Sequence, residues 1–188
     1  MHPPLSIYET KARPGSAVLW DSQREQMLNR QIALELYNFS VYEELSCFFA
    51  HGSKGYTNLA AHFRGEADEE LKHSRMFMDY QLQRGGKVRF LSSPEGNIDH
   101  KLDQDGFGPI DAYMLALELE KATYVALLEI HNNSNNDPHL QDFIENVLEE
   151  QLETQKKIND IIRRLETGGS TASYIHETLE LGGVSKSG

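Results

Sequence analysis

Apolar residues recur three and four positions apart over four long stretches of the chain. Three of the stretches open on a helix-start signal, and each closes on a breaker or a polar turn. Asp21 or Ser22 caps the first, which runs to about Phe49 and ends at the polar His51-Gly52-Ser53-Lys54-Gly55. The second runs from about Thr57 to Gln83 and stops at Gly85-Gly86. Pro109 suits the first turn of a third helix, which reaches about His131 before the polar turn Asn132-Asn133-Ser134-Asn135-Asn136. Asp137-Pro138 reads as cap and first-turn proline of a fourth helix reaching Leu165, broken by Gly168-Gly169. A short fifth helix follows from Ala172 to Leu181. There is almost no strand signal and no internal repeat.

At 1.5 Å rise per residue each long helix spans about 40 Å. Short links make the first and second helices one antiparallel hairpin, and the third and fourth another. Lys87 to Gly108 carries Pro94, Gly96, Gly106 and Gly108, too many breakers for a helix. At about 22 residues it can run the length of a bundle. The predicted fold is all-α: an antiparallel four-helix bundle with one long crossover between helices 2 and 3, plus a short C-terminal fifth helix. Residues 1–18, with three of the six prolines, read as an extended N-terminal arm. Residues 19–182 form the bundle domain, and residues 183–188 a flexible tail.

The apolar stripes are interrupted in one way on all four helices. Glu35 lies among Leu28, Ile32, Phe39 and Tyr42 at helical offsets, and Glu70 among Phe63, Ala67, His73 and Phe77. Glu120 lies among Tyr113, Ala116, Leu117 and Leu127, and Gln151 among Ile144, Val147, Leu148 and Ile158. Any one such residue is most often an ordinary half-exposed side chain. Four on four separate helices are not an ordinary coincidence, because an isolated buried carboxylate is costly and tends to protonate.

Glu70 and His73 form a Glu-x-x-His pair, with carboxylate and imidazole one turn apart on one face, able to share a metal. Oxygen ligands with one imidazole suit iron or manganese better than structural zinc. Glu70 is the natural bridge: Glu35 and His73 complete one position and Glu120 the other. Tyr42, seven residues after Glu35, could hydrogen-bond the site or take part in electron transfer. Gln151 is a weak ligand, so the second position is expected to hold its ion more loosely.

Composition narrows the field further. A chain of 188 residues can bury a core without staples, and its single cysteine, Cys47, excludes an internal disulfide framework. A net charge of −11 argues against general binding to nucleic acid or anionic membranes and favours cations. The first residues show no basic and apolar leader pattern, so a cytoplasmic protein is the expectation.

Asn29-Arg-Gln-Ile-Ala-Leu-Glu35-Leu-Tyr, Glu69-Glu70-Leu-Lys-His73, Gln83-Arg-Gly-Gly-Lys, Leu119-Glu120-Lys and Asn136-Asp-Pro-His-Leu-Gln-Asp-Phe-Ile-Glu145 together resemble eukaryotic-type ferritin. The similarity runs from about residue 20 to 182. Catalytically active heavy-type chains of that family carry the residues matched here by Glu35, Tyr42, Glu70, His73, Glu120 and Gln151. The resemblance implies a ferroxidase subunit that oxidises Fe(II) with dioxygen at a di-iron centre. It also implies storage of Fe(III) as mineral inside a homo-oligomeric shell of twenty-four subunits. Asp142 and Glu145 match the acidic rings of the threefold channels. The fifth helix, with Ile175, Leu179 and Leu181, matches the element lining the fourfold axes. Glu66, Asp68 and Glu69 match the inner acidic cluster where mineral nucleates.

Two departures from the family pattern stand out. Lys72 and Arg75 occupy positions where further acidic residues are often found, which weakens the expectation for nucleation. The stretch from Asp142 to Gln151 is one residue shorter than expected, and one residue turns a helix face by about 100°. Either the Asp142/Glu145 pair or Gln151 is then out of register, unless a local helix irregularity restores both. Glu149 or Glu150 could serve in place of Gln151. The alternatives to a ferroxidase are a structural storage subunit without a fast centre and a smaller di-iron oxygenase or peroxide-reducing bundle.

Overall fold

A computed structural model describes residues 20–52, 55–91, 102 and 106–167. Among the described residues there are four α-helices: α1 Ser22–Ala50, α2 Thr57–Gln83, α3 Pro109–Asn132 and α4 Pro138–Thr167. They match the expected elements to within two residues at each end. The N-terminal arm, the fifth helix and the tail lie outside the described residues, as does most of the crossover.

Local chemistry sets the helix ends. Asp21 caps α1, its carboxylate accepting from the backbone N–H groups of Gln23 and Arg24 at 3.0 Å each. Asp137 caps α4 by accepting from Leu140 N at 3.2 Å. At the head of α3, Pro109 costs no helical hydrogen bond, and Asp111 reaches back to accept from Gly108 N at 2.9 Å.

Paired residues give the directions of the helices. Ser46 bonds Ala60 near one end of the first hairpin, while Asn29 bonds the Lys87 carbonyl beyond the other, so α1 and α2 are antiparallel. Gln23 meets Asn133, Asn38 meets Thr123 and Tyr42 meets Glu120, so α1 and α3 are antiparallel. Arg84 with Asp137 and Tyr80 with His139 set α2 against α4 in the same sense. With α1 antiparallel to both α2 and α3, those two run parallel, as one long crossover between them requires. It begins by lying on α1, where Asn29 and Glu25 bond the backbone of Lys87 and Arg89.

One end of the bundle is pinned by Arg84. Its guanidinium lies 5.0 Å from the Trp20 ring centroid and donates to Tyr80 Oη at 2.7 Å and to Asp137 at 3.2 and 2.5 Å. Gly86 lets the chain pass this cluster, since a Cβ there would stand 2.5 Å from Trp20 Nε1.

The core is divided in two. Val41, Leu45, Phe49, Leu59, Phe63, Tyr113, Leu119 and Ile158 pack in one half. Leu28, Ile32, Phe77, Leu127, Leu140 and Ile144 pack in the other. Between them, every helix switches to polar residues while staying buried: Glu35 and Asn38, Glu70 and Ser74, Glu120 and Thr123, and Gln151. This polar layer across the middle of the bundle is what the fold positions.

Candidate metal centre

Each helix delivers its polar group because the apolar residues on either side fix its face toward the core. Glu35 is 0% exposed, Glu120 1% and Glu70 4%, far below what unpaired carboxylates tolerate. Ligand atoms of Glu35, Glu70 and His73 all lie within 4.8 Å of one another. His73 is the half-buried member, with Nδ1 3.9 Å from Glu70 Oε1 and Nε2 3.9 Å from Glu150 Oε2. Across the layer, the Tyr42 hydroxyl donates to Glu120 Oε1 at 2.5 Å.

The electrostatics match that crowding. Burial, then the adjoining Glu35 carboxylate and Glu120, push Glu70 well above the usual carboxylate range, partly offset by a hydrogen bond from Asn38. Burial also raises Glu120, while the Tyr42 hydroxyl and the Gln151 amide pull it back. Tyr42 is raised by burial and then by Glu120 and Glu70, so it stays a neutral donor. One turn before Glu70, burial and the charges of Glu120 and Glu69 lift Glu66 to about 7. His62, beside it, is lowered to about 4 by burial. Tyr42, His62, Phe63 and Glu66 line a cavity of about 470 Å³ that opens between α2, α3 and α4.

The orphaned atoms identify what the layer lacks. Glu35 Oε2, Glu120 Oε2, Gln151 Oε1, Asn38 Oδ1 and Gln31 Oε1 are buried without a hydrogen-bond partner. All are oxygens, two of them from carboxyl groups. A shared proton can serve the Glu35–Glu70 pair, but a set of inward-facing oxygens with one imidazole has the donor chemistry of a hard or borderline divalent cation. The residues present fit such an ion.

The register question has a definite geometry. α4 is an unbroken α-helix from Pro138 to Thr167. On it Gln151 is buried beside Glu120, whereas Glu149 and Glu150 are exposed. Gln151 faces the layer beside Glu120, while exposed Glu150 approaches His73 from the rim. Asp142 and Glu145 are exposed near the start of α4. Glu145 is held by His131 at 2.9 Å, and Asp142 borders a cleft with Lys72 and Arg75. Asp68 and Glu69 are exposed on α2, and Glu69 is paired with Lys72 at 2.6 Å.

Gln31, Asn38 and Thr123 were missed by sequence reasoning. The Gln31 amide donates to Glu35 Oε1 at 2.6 Å, and Asn38 joins Glu70 to Thr123. Their spacing was a usable signal: each lies one turn from a glutamate of the layer, on the same face.

Fold and layer together define an all-α bundle whose core gathers carboxylates and an imidazole from separate helices. The chain belongs to the ferritin family, described as a ferritin-like domain, which matches residues 25–167. It is 40% identical over 158 residues to "Ferritin-1, chloroplastic" of Brassica napus, a match covering 81% of this chain and 61% of that protein. It is 36% identical over 166 residues to "Ferritin, middle subunit" of Aquarana catesbeiana, covering 85% of this chain and 90% of that subunit. The chain thus spans less than two thirds of the Brassica protein and nearly all of the frog subunit.

Proposed function

We propose that the chain is a heavy-type ferritin subunit, a ferroxidase that oxidises Fe(II) with dioxygen and stores Fe(III) as mineral. The observation that carries this reading is the buried layer in which Glu35, Glu70 and His73 converge within 4.8 Å, with orphaned oxygens around them. Iron is the substrate. Glu35, Glu70 and His73 would hold one Fe(II), and Glu70 and Glu120, with Gln151 as a weak neighbour, a second. Each Fe(II) gives one electron to dioxygen. Arrival of the cations ionises carboxylates that burial keeps protonated, so protons leave as iron enters. Tyr42 holds Glu120 in place by its hydroxyl and stands where an electron could be taken from it.

The same reading extends to assembly. The subunit would form a homo-oligomeric shell of twenty-four copies in the cytoplasm. With Gln151 in place on an unbroken α4, Asp142 and Glu145 would draw cations at the threefold channels from a face turned by about 100° from the family's register. Nucleation at Asp68 and Glu69 would be inefficient, because Lys72 neutralises Glu69 and Arg75 lies two turns beyond Asp68 along the same face of α2. Oxidation would then be the stronger of the two activities. The name of the Brassica relative gives a chloroplast location for that protein, so fractionation of cells tests the cytoplasmic assignment.

Stopped-flow oxidation of Fe(II) in air tests the central reading. Rapid oxidation lost in Glu70→Ala supports it. A rate unchanged in that variant sinks the ferroxidase and leaves a structural storage subunit. A mass near that of one 21.4 kDa chain on size exclusion would remove the shell.

A further inference from the structure

Asn38 lies one turn beyond Glu35 on α1 and is wholly buried in the polar layer. Its Nδ2 donates to Glu70 Oε2 on α2 at 3.3 Å and to Thr123 Oγ1 on α3 at 2.9 Å. Thr123, also 0% exposed, lies one turn beyond Glu120. Asn38 Oδ1 has no partner. A buried amide with an orphaned carbonyl is a poor choice for packing, since an apolar side chain leaves no polar atom unpaired. What the amide supplies is its N–H. With a cation in the centre Glu70 is ionised and only accepts, so it then holds the amide N–H toward itself.

The two oxygens of Glu70 are therefore not equivalent. Oε1 lies on the side of His73, 3.9 Å from Nδ1. Oε2 is the one that Asn38 holds. A carboxylate shared by two cations offers them different oxygens, and the cation toward Glu120 has to draw on Oε2.

We propose that Asn38 is a positioning residue that sets the order in which the centre fills. Its hydrogen bond leaves Oε1 free for the Glu35/His73 position and makes a cation at the Glu120 position compete with an N–H for Oε2. Thr123 keeps the amide aimed at Glu70 from the opposite helix. Asn38 so separates the affinities of the two positions without touching either ion. This rests on the reading of the layer as a two-position metal centre.

The test is an anaerobic titration of the metal-free, assembled protein with Co(II), followed by calorimetry and by the visible absorption of the bound ion. The wild type is expected to bind in two steps that disappear in Glu70→Ala. In Asn38→Leu, which keeps the branched shape without the N–H, and in Asn38→Ala, the second step should tighten about tenfold, with the first unchanged. Both steps moving together, neither moving, or a change confined to the cavity-forming Asn38→Ala would overturn the role of Asn38 alone. Absence of any Glu70-dependent step in the wild type would overturn the metal centre and this role with it.

Discussion

Replacing Glu70 by glutamine should stabilise the metal-free protein, although it removes a residue of the centre. Ligand atoms of Glu35 and Glu70 lie within 4.8 Å of each other. Two unit charges at that distance repel by roughly 3.5 kcal/mol at an effective dielectric constant of about 20. Glutamine keeps the shape and can still accept from Asn38, but it carries no charge. The gain depends on pH in a definite sense. The folded pKa of Glu70 lies well above 4.5, so between the two values the folded protein holds a proton that the unfolded chain has lost. That contribution to stability is fully present below the unfolded pKa and disappears as the pH rises through the folded one. Wild type and Glu70→Gln should therefore melt together at pH 5 and separate at pH 8.5. There the variant should be more stable by up to about 3 kcal/mol, or roughly 6–12 °C for a chain of this size. The assay is thermal denaturation followed by circular dichroism after exhaustive chelation, at one fixed protein concentration. Added divalent metal should reverse the ranking, because only the wild type retains the bridging carboxylate. A variant less stable than wild type at pH 8.5, or an equal difference at both pH values, would refute the claim that repulsion in the buried layer dominates the metal-free state.

Tyr42→Phe removes the 2.5 Å hydrogen bond to Glu120 and with it a group that lowers the pKa of Glu120. Protons should then compete better with the ion, weakening anaerobic Co(II) binding at the second position roughly tenfold near pH 6.5 and less at pH 8.5. Binding of equal strength at both pH values would count against this. Arg84→Ala leaves Asp137 buried without its cationic partner and strips the Trp20–Tyr80 cluster of its centre. Urea denaturation should register a loss of about 3–5 kcal/mol; a loss under 1 kcal/mol would make the cluster a bystander.

Three of the helices were legible because periodicity, a start signal and a breaker agreed; α2, with no capping side chain at its head, rested on periodicity and the Gly85-Gly86 stop. Asp21, Pro109 and Asp137 stand at the helix heads where the sequence places them. The four central polar residues were legible as exceptions to an apolar stripe, since periodicity alone assigns them a face. Asn38 and Thr123 were harder to single out: each lies one turn from a glutamate of the layer, but polar residues are common on long helices, and it is the bonds from Asn38 to Glu70 and to Thr123 that tie them to the site. The register of Gln151 was also beyond periodicity. A one-residue difference leaves two faces in competition, and the choice is made by packing: Val147 and Ile158 are buried on either side and carry Gln151 inward with them. The Lys72–Glu69 pair, by contrast, follows directly from their spacing of three on one helix.

Diffraction from crystals soaked anaerobically in Fe(II), read by anomalous scattering at the iron edge, tests the central claim most directly. The account predicts two peaks in the polar layer of each chain, the stronger between Glu35, Glu70 and His73, the weaker between Glu70 and Glu120. Iron confined to exposed carboxylates such as Asp142, Glu145, Asp68 and Glu69, with none in the layer, would contradict it.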